Sequence, residues 1–273
     1  MCARRMRSDA APRLTCELVT SLRDRSARDR EGLYLAEGLR FLCTAVDSRA
    51  PIVGLIVCRR LLRGPLGHTL IRRSNAPVVE VPESEFLQLS LSGDPQGVIL
   101  VLRQCFQPLP SGVASRDLWL GVESVRTAGN LGTLLRSASA VGATGLMVFG
   151  PVRERADPFD PGCIRASMGA SFRLRIVETS HREFRFWRHR YELKVLGADG
   201  AAPTDHRTVK MNRPLMIMLG SERDGLSEAQ RITCDGFVRI PMTTEVDSLN
   251  VAMAGTVLLY EAWGQRHPVR RRT

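Results

Sequence analysis

The stretch Arg239-Ile-Pro-Met-Thr-Thr-Glu-Val-Asp-Ser-Leu-Asn-Val-Ala-Met-Ala-Gly-Thr-Val-Leu-Leu-Tyr-Glu-Ala262 decides how the second half of this chain is read. Residues 237–240 are an apolar run that predicts a short strand ending at Pro241, and a polar loop follows over 243–247. Ser248 stands where a helix N-cap should stand, ahead of a largely apolar run from Leu249 to Trp263 that predicts a helix. Asn250 then falls in the first turn of that helix. A buried helix start leaves backbone N–H groups without partners, so it faces either a ligand or a polar loop. A capped core helix closing a domain fits these residues equally well.

Upstream of this stretch, β-like runs alternate with helix-like ones, the pattern of an α/β layer. Strands are expected at 118–122, 146–149, 174–177, 193–196 and 215–219, and helices at 130–141, 161–170, 181–190 and 227–232. The first of these helices carries Leu131, Leu134, Leu135 and Ala138 on one face. Residues 104–116, with Pro108, Pro110, Ser111, Gly112 and Ser115, read as a linker. An earlier α/β series fills residues 13–103, with strands at 33–36, 52–58, 78–81 and 97–102 and helices at 13–22, 38–47, 69–74 and 83–89. The expected organisation is a flexible basic lead (1–12), an α/β domain (13–103), the linker (104–116), a second α/β domain (117–266) and a basic tail (267–273).

Net charge is +11, from 39 basic and 28 acidic side chains, and Lys194 and Lys210 are the only lysines. Guanidinium forks match phosphates, so an anionic partner such as nucleic acid is implied. A genome biased toward arginine codons would leave the same composition. The run Arg23-Asp-Arg-Ser-Ala-Arg-Asp-Arg30 reads either as a phosphate-contacting loop or as a solvated helix end. The seven cysteines form no C-x-x-C pair and have no metal spacing with the five histidines, which points to reduced, mostly buried thiols and no metal. No apolar run reaches the length of a membrane span, and no apolar segment follows the basic N-terminus. A cytoplasmic protein is expected, although the Arg-rich start permits an organelle address.

Three clusters lie at expected strand ends, where α/β proteins bind ligands. In Gly121-Val-Glu-Ser-Val-Arg-Thr-Ala-Gly-Asn130-Leu-Gly-Thr-Leu-Leu-Arg136, a strand ends, a polar loop follows and a helix begins. Arg136 lies about 1.7 turns beyond Asn130, and helical side chains lean toward the N-terminus, so it can reach back over the loop. An ordinary strand–turn–helix with a surface arginine is the plainer alternative. In Leu215-Met-Ile-Met-Leu-Gly220-Ser-Glu222-Arg-Asp-Gly225-Leu-Ser227, an apolar strand stops at a glycine that admits close approach of a backbone or a ligand, and Glu222 follows. The opening stretch is the third cluster. Phosphate-loop, dinucleotide, nucleophile-elbow and zinc-peptidase motifs are all missing.

The ordered set Asn130-x-Gly132-x-x-x-Arg136, Leu219-Gly220-Ser221-Glu222-x-x-Gly225-Leu226 and Ile240-Pro241-Met242 followed by Ser248-Leu249-Asn250 resembles the SpoU/TrmH branch of the SPOUT RNA methyltransferases. Arg165-Ala-Ser-Met-Gly169-Ala170-Ser-Phe172 matches the family's small-residue stretch between its first and second motifs. The resemblance is specific over residues 117–266 and looser over 14–102, which looks like the ribosomal-protein-like α/β substrate-binding domain that precedes many members. Two departures stand out. Thr127-Ala128 replace the family's Asp-Pro, and Thr243-Thr244 fill the place of a glycine.

The resemblance implies a C-terminal α/β domain tied in a trefoil knot, a homodimer, and methyl transfer from S-adenosylmethionine to a ribose 2′-hydroxyl of RNA. The separate N-terminal domain favours rRNA over tRNA. The implied cofactor site is Leu219, Gly220, Ile240, Met242 and Leu249. The implied catalytic set is Arg136, oriented by Asn130 and supported by Glu222, Ser248 and Asn250. Arg23, Arg25, Arg28, Arg30 and Arg40 are the implied RNA contacts. An arginine stays protonated, so Arg136 suits a charge clamp better than a general base. Small Ala252, Ala254 and Gly255 suit close helix packing, either at the dimer interface or in the core. A tRNA enzyme, a base-nitrogen methyltransferase of another SPOUT branch, or an inactive RNA-binding or ribosome-assembly protein of the same fold are the alternatives.

Overall fold

The computed structural model describes residues 13–151, 154–243 and 248–268. The basic lead, most of the loop over 243–247 and the last five residues of the tail lie outside the described residues. The chain forms two units: one runs up to Cys105 and includes Pro158–Arg173, and the other holds Phe106–Asp157 and everything from Leu174 on.

The first unit contains α1 (Cys16–Ser21), α2 (Arg25–Glu31), β1 (Leu33–Glu37), α3 (Leu39–Asp47), β2 (Ile52–Val57), α4 (Pro65–Ser74), β3 (Val78–Glu80), α5 (Glu83–Leu89) and β4 (Val98–Arg103). Strand order is β1-β4-β2-β3, with β4 antiparallel to both its neighbours and β2 parallel to β3. Val19, Leu22, Leu35, Ile56, Phe86 and Ile99 belong to one buried cluster beneath this sheet, each such side chain contributing about 1.5–3 kcal/mol when fully buried. Two helix starts differ from expectation. α1 begins at Cys16 because the Thr15 side chain accepts the Leu18 N–H, and α4 begins at Pro65 because proline is preorganised for a first helical turn.

The second unit contains β5 (Leu118–Val122), α6 (Ala128–Ala140), β6 (Gly145–Val148), β7 (Arg175–Glu178), α8 (His181–Tyr191), β8 (Lys194–Ala198), β9 (Leu215–Leu219), α9 (Glu228–Thr233), β10 (Gly236–Val238) and α10 (Val251–Arg266). The helix between β6 and β7 in chain order, α7 (Pro161–Ser167), belongs to the first unit. The six strands of the second unit are all parallel, in the order β10-β8-β9-β5-β6-β7. β5 and β9 are buried along their whole length, as central strands covered on both faces must be. Side chains alternate between faces along β9. Met216 and Met218 join Trp119, Phe149, Phe184 and Trp187 beneath α8, whereas the Leu219 side chain meets α10 at Gly255. A Cβ on Gly255 would collide with the ends of the Leu134 side chain of α6 and the Leu219 side chain of β9, so the close approach of α10 is made with a residue that has no side chain there. The stretch read as a linker packs onto this unit, with Trp187 Nε1 and the Tyr191 hydroxyl each donating at 2.6 Å to the carbonyls of Pro110 and Ser111.

The charge run 23–30 is neither a loop nor a purely solvated helix end. Arg23 and Asp24 form a turn, residues 25–30 lie in α2, and Arg28 on it is 2% exposed. The Arg28 guanidinium donates to the carbonyls of Leu22 (3.1 Å) and Arg23 (2.6 Å) and pairs with Asp160 at 3.3 Å. A side chain held this way cannot grip an external phosphate, which corrects the expected RNA contact at Arg28. Asp160 is also the N-cap of α7. Residues 158–173 thus pack with the first unit although they lie inside the stretch read as the second domain. Tyr34 meets Phe159 with ring centroids 4.9 Å apart, and Arg165 donates to the Leu91 carbonyl at 3.0 Å.

None of the described cysteines is in a disulfide; Cys58 and Cys163 are buried and the others are half-buried, so fewer thiols are buried than expected. No helix among the described residues is long and apolar enough to cross a membrane.

Arg28→Ala should cost about 3 kcal/mol of stability, because it leaves a carboxylate and two carbonyls without their partner. Urea denaturation of the variant reads this. An unchanged midpoint together with weakened RNA binding would return Arg28 to the RNA-binding set.

Candidate active site

Three chain segments meet just beyond the C-terminal ends of the parallel strands. The turn after β9 supplies Glu222. Its carboxylate accepts the backbone N–H groups of Arg126 and Thr127, both at 3.3 Å, and the Asn130 Nδ2 at 3.0 Å. Thr127 is the N-cap of α6 but makes no side-chain cap bond. A carboxylate 92 residues further along the chain than Asn130 therefore supplies negative charge at this helix start. Asn130 Oδ1 in turn accepts from Asn250 Nδ2 at 3.0 Å. Asn250 Oδ1 accepts the N–H groups of Ala252 (2.9 Å) and Met253 (3.4 Å), which makes Asn250 the N-cap of α10. Ser248 is not the cap. The helix starts two residues later than expected because the Asn250 amide can cap α10 and reach Asn130 at once.

Burial would raise the Glu222 carboxyl, but the Asn130 amide and the surrounding backbone N–H groups outweigh it and hold the group below the usual carboxylate range. The junction keeps its charge. Glu222 shapes the loop before Asn130, where Thr127-Ala128 stand in place of Asp-Pro.

The implied cofactor residues take different positions. Leu219 is buried, so it presents only backbone. At Gly220 an added Cβ would collide with the Gly225 backbone, so what comes close there is the chain's own turn. That turn is closed by reciprocal backbone bonds between Ser221 and Gly225 at 2.9 and 3.2 Å. Ile240 and Met242 are half-buried, and Leu249 is 38% exposed. Gly220 follows β9 and Ile240 follows β10, parallel strands separated only by β8 and therefore roughly 10 Å apart. Ser248 is exposed.

Arg136 is exposed on α6 and makes no ion pair or hydrogen bond among the described residues. No hydrogen bond joins Asn130 to it; the Asn130 amide binds Glu222 and Asn250 instead. Of the arginines read as RNA contacts in the first unit, Arg23 donates to the Gln88 carbonyl at 2.7 Å, Arg25 pairs with Asp29 at 3.7 Å and Arg30 with Glu31 at 2.9 Å. Arg40 is exposed.

Glu123, inside the first cluster but unassigned from sequence, ties the same region from the other side. It follows β5 and accepts the Ser227 hydroxyl at 2.5 Å, with His181 Nε2 at 3.5 Å. The His181 ring lowers the Glu123 carboxyl, burial opposes this, and Ser227 adds to the lowering. A carboxylate directly after a central parallel strand is the signal that could have found it. No group of His, Cys, Asp and Glu among the described residues could hold a metal ion.

Comparison with known proteins gives two family matches: residues 117–260 match the SpoU rRNA Methylase family, and residues 17–100 match the MRM3-like substrate binding domain. A 23S rRNA (uridine(2479)-2′-O)-methyltransferase of Streptomyces viridochromogenes is 31% identical over 254 residues, which covers 90% of this chain and 87% of that protein. Two solved structures superpose with TM-scores of 0.83. One is an AdoMet-bound rRNA methyltransferase from Sinorhizobium meliloti, 27% identical over 93% of this chain and 95% of its own. The other is a SpoU methyltransferase from Streptomyces viridochromogenes in complex with AdoMet, 29% identical over 92% of this chain and 98% of its own.

Asn250→Ala should lower stability by about 1 kcal/mol through loss of the α10 cap, read as a shift of the denaturant midpoint. The Glu222 charge gives a second test. Its folded carboxyl titrates below the ordinary value of 4.5, so on acidification the unfolded chain takes up the proton first. The stability it contributes is complete above about pH 4.5 and is lost as pH falls through the folded value. Wild type should therefore exceed Glu222→Gln in stability at neutral pH and converge with it in acid; a gap that persists unchanged to about pH 3 would refute the charge argument.

Proposed function

We propose that this chain, which belongs to the SpoU rRNA methylase family, transfers a methyl group from S-adenosylmethionine to a ribose 2′-hydroxyl of RNA, with rRNA as the substrate class. The observation that carries the reading is the junction of Glu222, Asn130 and Asn250, which joins the three motifs at one edge of the parallel sheet. The likeness along 90% of this chain to a 23S rRNA 2′-O-methyltransferase supports rRNA over tRNA.

The residues present fit the cofactor. The Gly220 turn is closed by backbone alone, so no side chain projects from that position. Half-buried Ile240 and Met242 and exposed Leu249 offer apolar edges to an adenine, and loop amides offer donors. A trefoil crossing of the chain would bring the turn after β9 and the loop between β10 and α10 around one nucleoside. When bound, S-adenosylmethionine supplies an electrophilic methyl on its sulfonium. This chain's own residues must hold the ribose hydroxyl in line with that methyl and keep water out. Arg136, exposed and without an ion-pair partner among the described residues, is available to grip an RNA phosphate and to stabilise alkoxide charge as it develops. Glu222 and Asn130 fix the start of the helix that carries it, Asn250 ties that start to α10, and exposed Ser248 stands just before α10.

A second copy of the chain would cover the outward face of α10. Met253 (52% exposed), Val257 (38%), Tyr260 (49%) and Trp263 (40%) form an apolar ladder along that face. Ala252 and Gly255, read from sequence as a packing surface, are buried within the unit, so the apolar ladder is the better candidate interface. The cytoplasm is the place this reading assigns to the protein.

Arg136→Lys should lose about 100-fold in methyl-transfer rate while S-adenosylmethionine affinity survives, measured with methyl-labelled cofactor on rRNA from cells lacking the gene. Nuclease-resistant methylated dinucleotides identify ribose as the acceptor; label in a base would replace this reading with a base methyltransferase. Val257→Arg should convert a dimer to a monomer in sedimentation experiments.

A further inference from the structure

α8 presents a face that neither the sheet nor the active site explains. Its inward side is fixed. Phe184 and Trp187 are buried in the core, Arg188 pairs with Asp235 at 2.7 Å, and a Ser180–Glu183 capping box closes the N-terminus. Its outward side carries Phe186 at 70% exposure, the most exposed large apolar side chain among the described residues. Arg182 and Arg190 stand one turn before and one turn after Phe186 on the same face, and Arg185 flanks it. From Arg182 to Arg190 the helix rises about 12 Å. Neither Arg182 nor Arg185 has an ion-pair or hydrogen-bond partner among the described residues, and Arg190 lies over the Tyr191 ring with its guanidinium carbon 5.7 Å from the centroid. Glu183, the one acid within the helix, is engaged in the capping box.

We propose that this face of α8 is an RNA-docking surface: an unpaired base stacks on Phe186 while Arg182, Arg185 and Arg190 hold the flanking phosphates. Aromatic rings interleaved with cations on a rigid element are what single-stranded nucleic acid binds, because every base offers a π-face and every linkage offers a phosphate. The inference rests on RNA being the substrate and deepens that reading by assigning an RNA-binding element outside the methyl-transfer site. The occupant is not the second copy proposed for α10, because α8 and α10 pack on opposite faces of the sheet: Met216 and Met218 of β9 point beneath α8 and Leu219 toward α10. The positive charge selects an anionic partner over an apolar protein surface.

The test uses the full-length protein and two fluorescein-labelled probes, a single-stranded oligouridine and a blunt RNA duplex of equal length. Phe186→Ala should weaken oligouridine binding about tenfold and leave duplex binding unchanged, and Phe186→Trp should restore the affinity. Arg182→Ala with Arg185→Ala should weaken both probes. The double variant should also flatten the logarithmic salt dependence of oligouridine binding by about 0.7 for each phosphate no longer held. S-adenosylmethionine affinity, measured by calorimetry, should stay at the wild-type value in every variant. Oligouridine affinity unaffected by Phe186→Ala overturns the proposal, whether or not the arginine variants bind less. A change in sedimentation without a change in RNA affinity also overturns it, in favour of a protein partner. Because binding is read without methyl transfer, absence of activity would sink the enzymatic reading and leave this test intact.

Discussion

The Glu222 carboxylate, set against the start of α6, is the interaction on which the rest of the site depends. It reaches the Arg126 and Thr127 N–H groups and the Asn130 amide, and the Asn130 amide passes the connection on to Asn250 and the start of α10. Two helix starts and one strand-end turn are therefore a single hydrogen-bonded object. Glu222, distant in the chain, takes the Arg126 and Thr127 N–H groups just ahead of α6, whose own N-cap makes no side-chain bond, and its charge sits at the positive end of that helix. The requirement that closes α6 and α10 also brings three motifs to one place, so the ends of the helices and the geometry of the site cannot vary independently.

Around that junction the backbone comes as close as it can. Gly220 admits its own turn and Gly255 admits α6 and β9, in each case within a distance that a Cβ would violate. The two glycines differ in tolerance. Gly255 faces the ends of the Leu134 and Leu219 side chains, which can shift. Gly220 faces backbone, which cannot. On the far side of the same turn, Glu123 holds Ser227, and the Gln230 amide donates to the Leu219 carbonyl at 2.9 Å. The turn bearing Glu222 is thus braced at both ends, which keeps a charged group aligned without help from a ligand.

Where physical causes are local, the sequence is readable. Residues 118–122 and 215–219 are unbroken apolar runs, and they form β5 and β9 with the expected bounds. The start of α10 is misplaced because two nearby residues compete for the cap. Ser248 has the better local claim to cap α10, but only Asn250 can also reach Asn130. The reading of the run 23–30 fails at Arg28 because alternating charges look solvated until Asp160, 132 residues away, is seen to pair with one of them. Proline and glycine mark 104–116 as a linker, but such backbone can still be packed, as Trp187 and Tyr191 show by binding its carbonyls.

Composition alone cannot separate an RNA-binding surface from a genome rich in arginine codons, but placement can. Arg28, Arg155 and Arg188 are buried, each against a carboxylate from Asp160, Glu178 or Asp235. Guanidinium suits such sites because its fork can satisfy a carboxylate and a carbonyl together, where a lysine ammonium would be a heavily hydrated point charge. Those pairs are internally neutral, so they add nothing to the net charge of +11, which must come from other residues. Arginines such as Arg182 and Arg185 make no such pair among the described residues, and they stand on a helix whose other side is locked into the core. Folding requires the interior arginines to be paired whatever the codon usage, so the feature that bears on an anionic ligand is the grouping of unpaired arginines around one exposed ring.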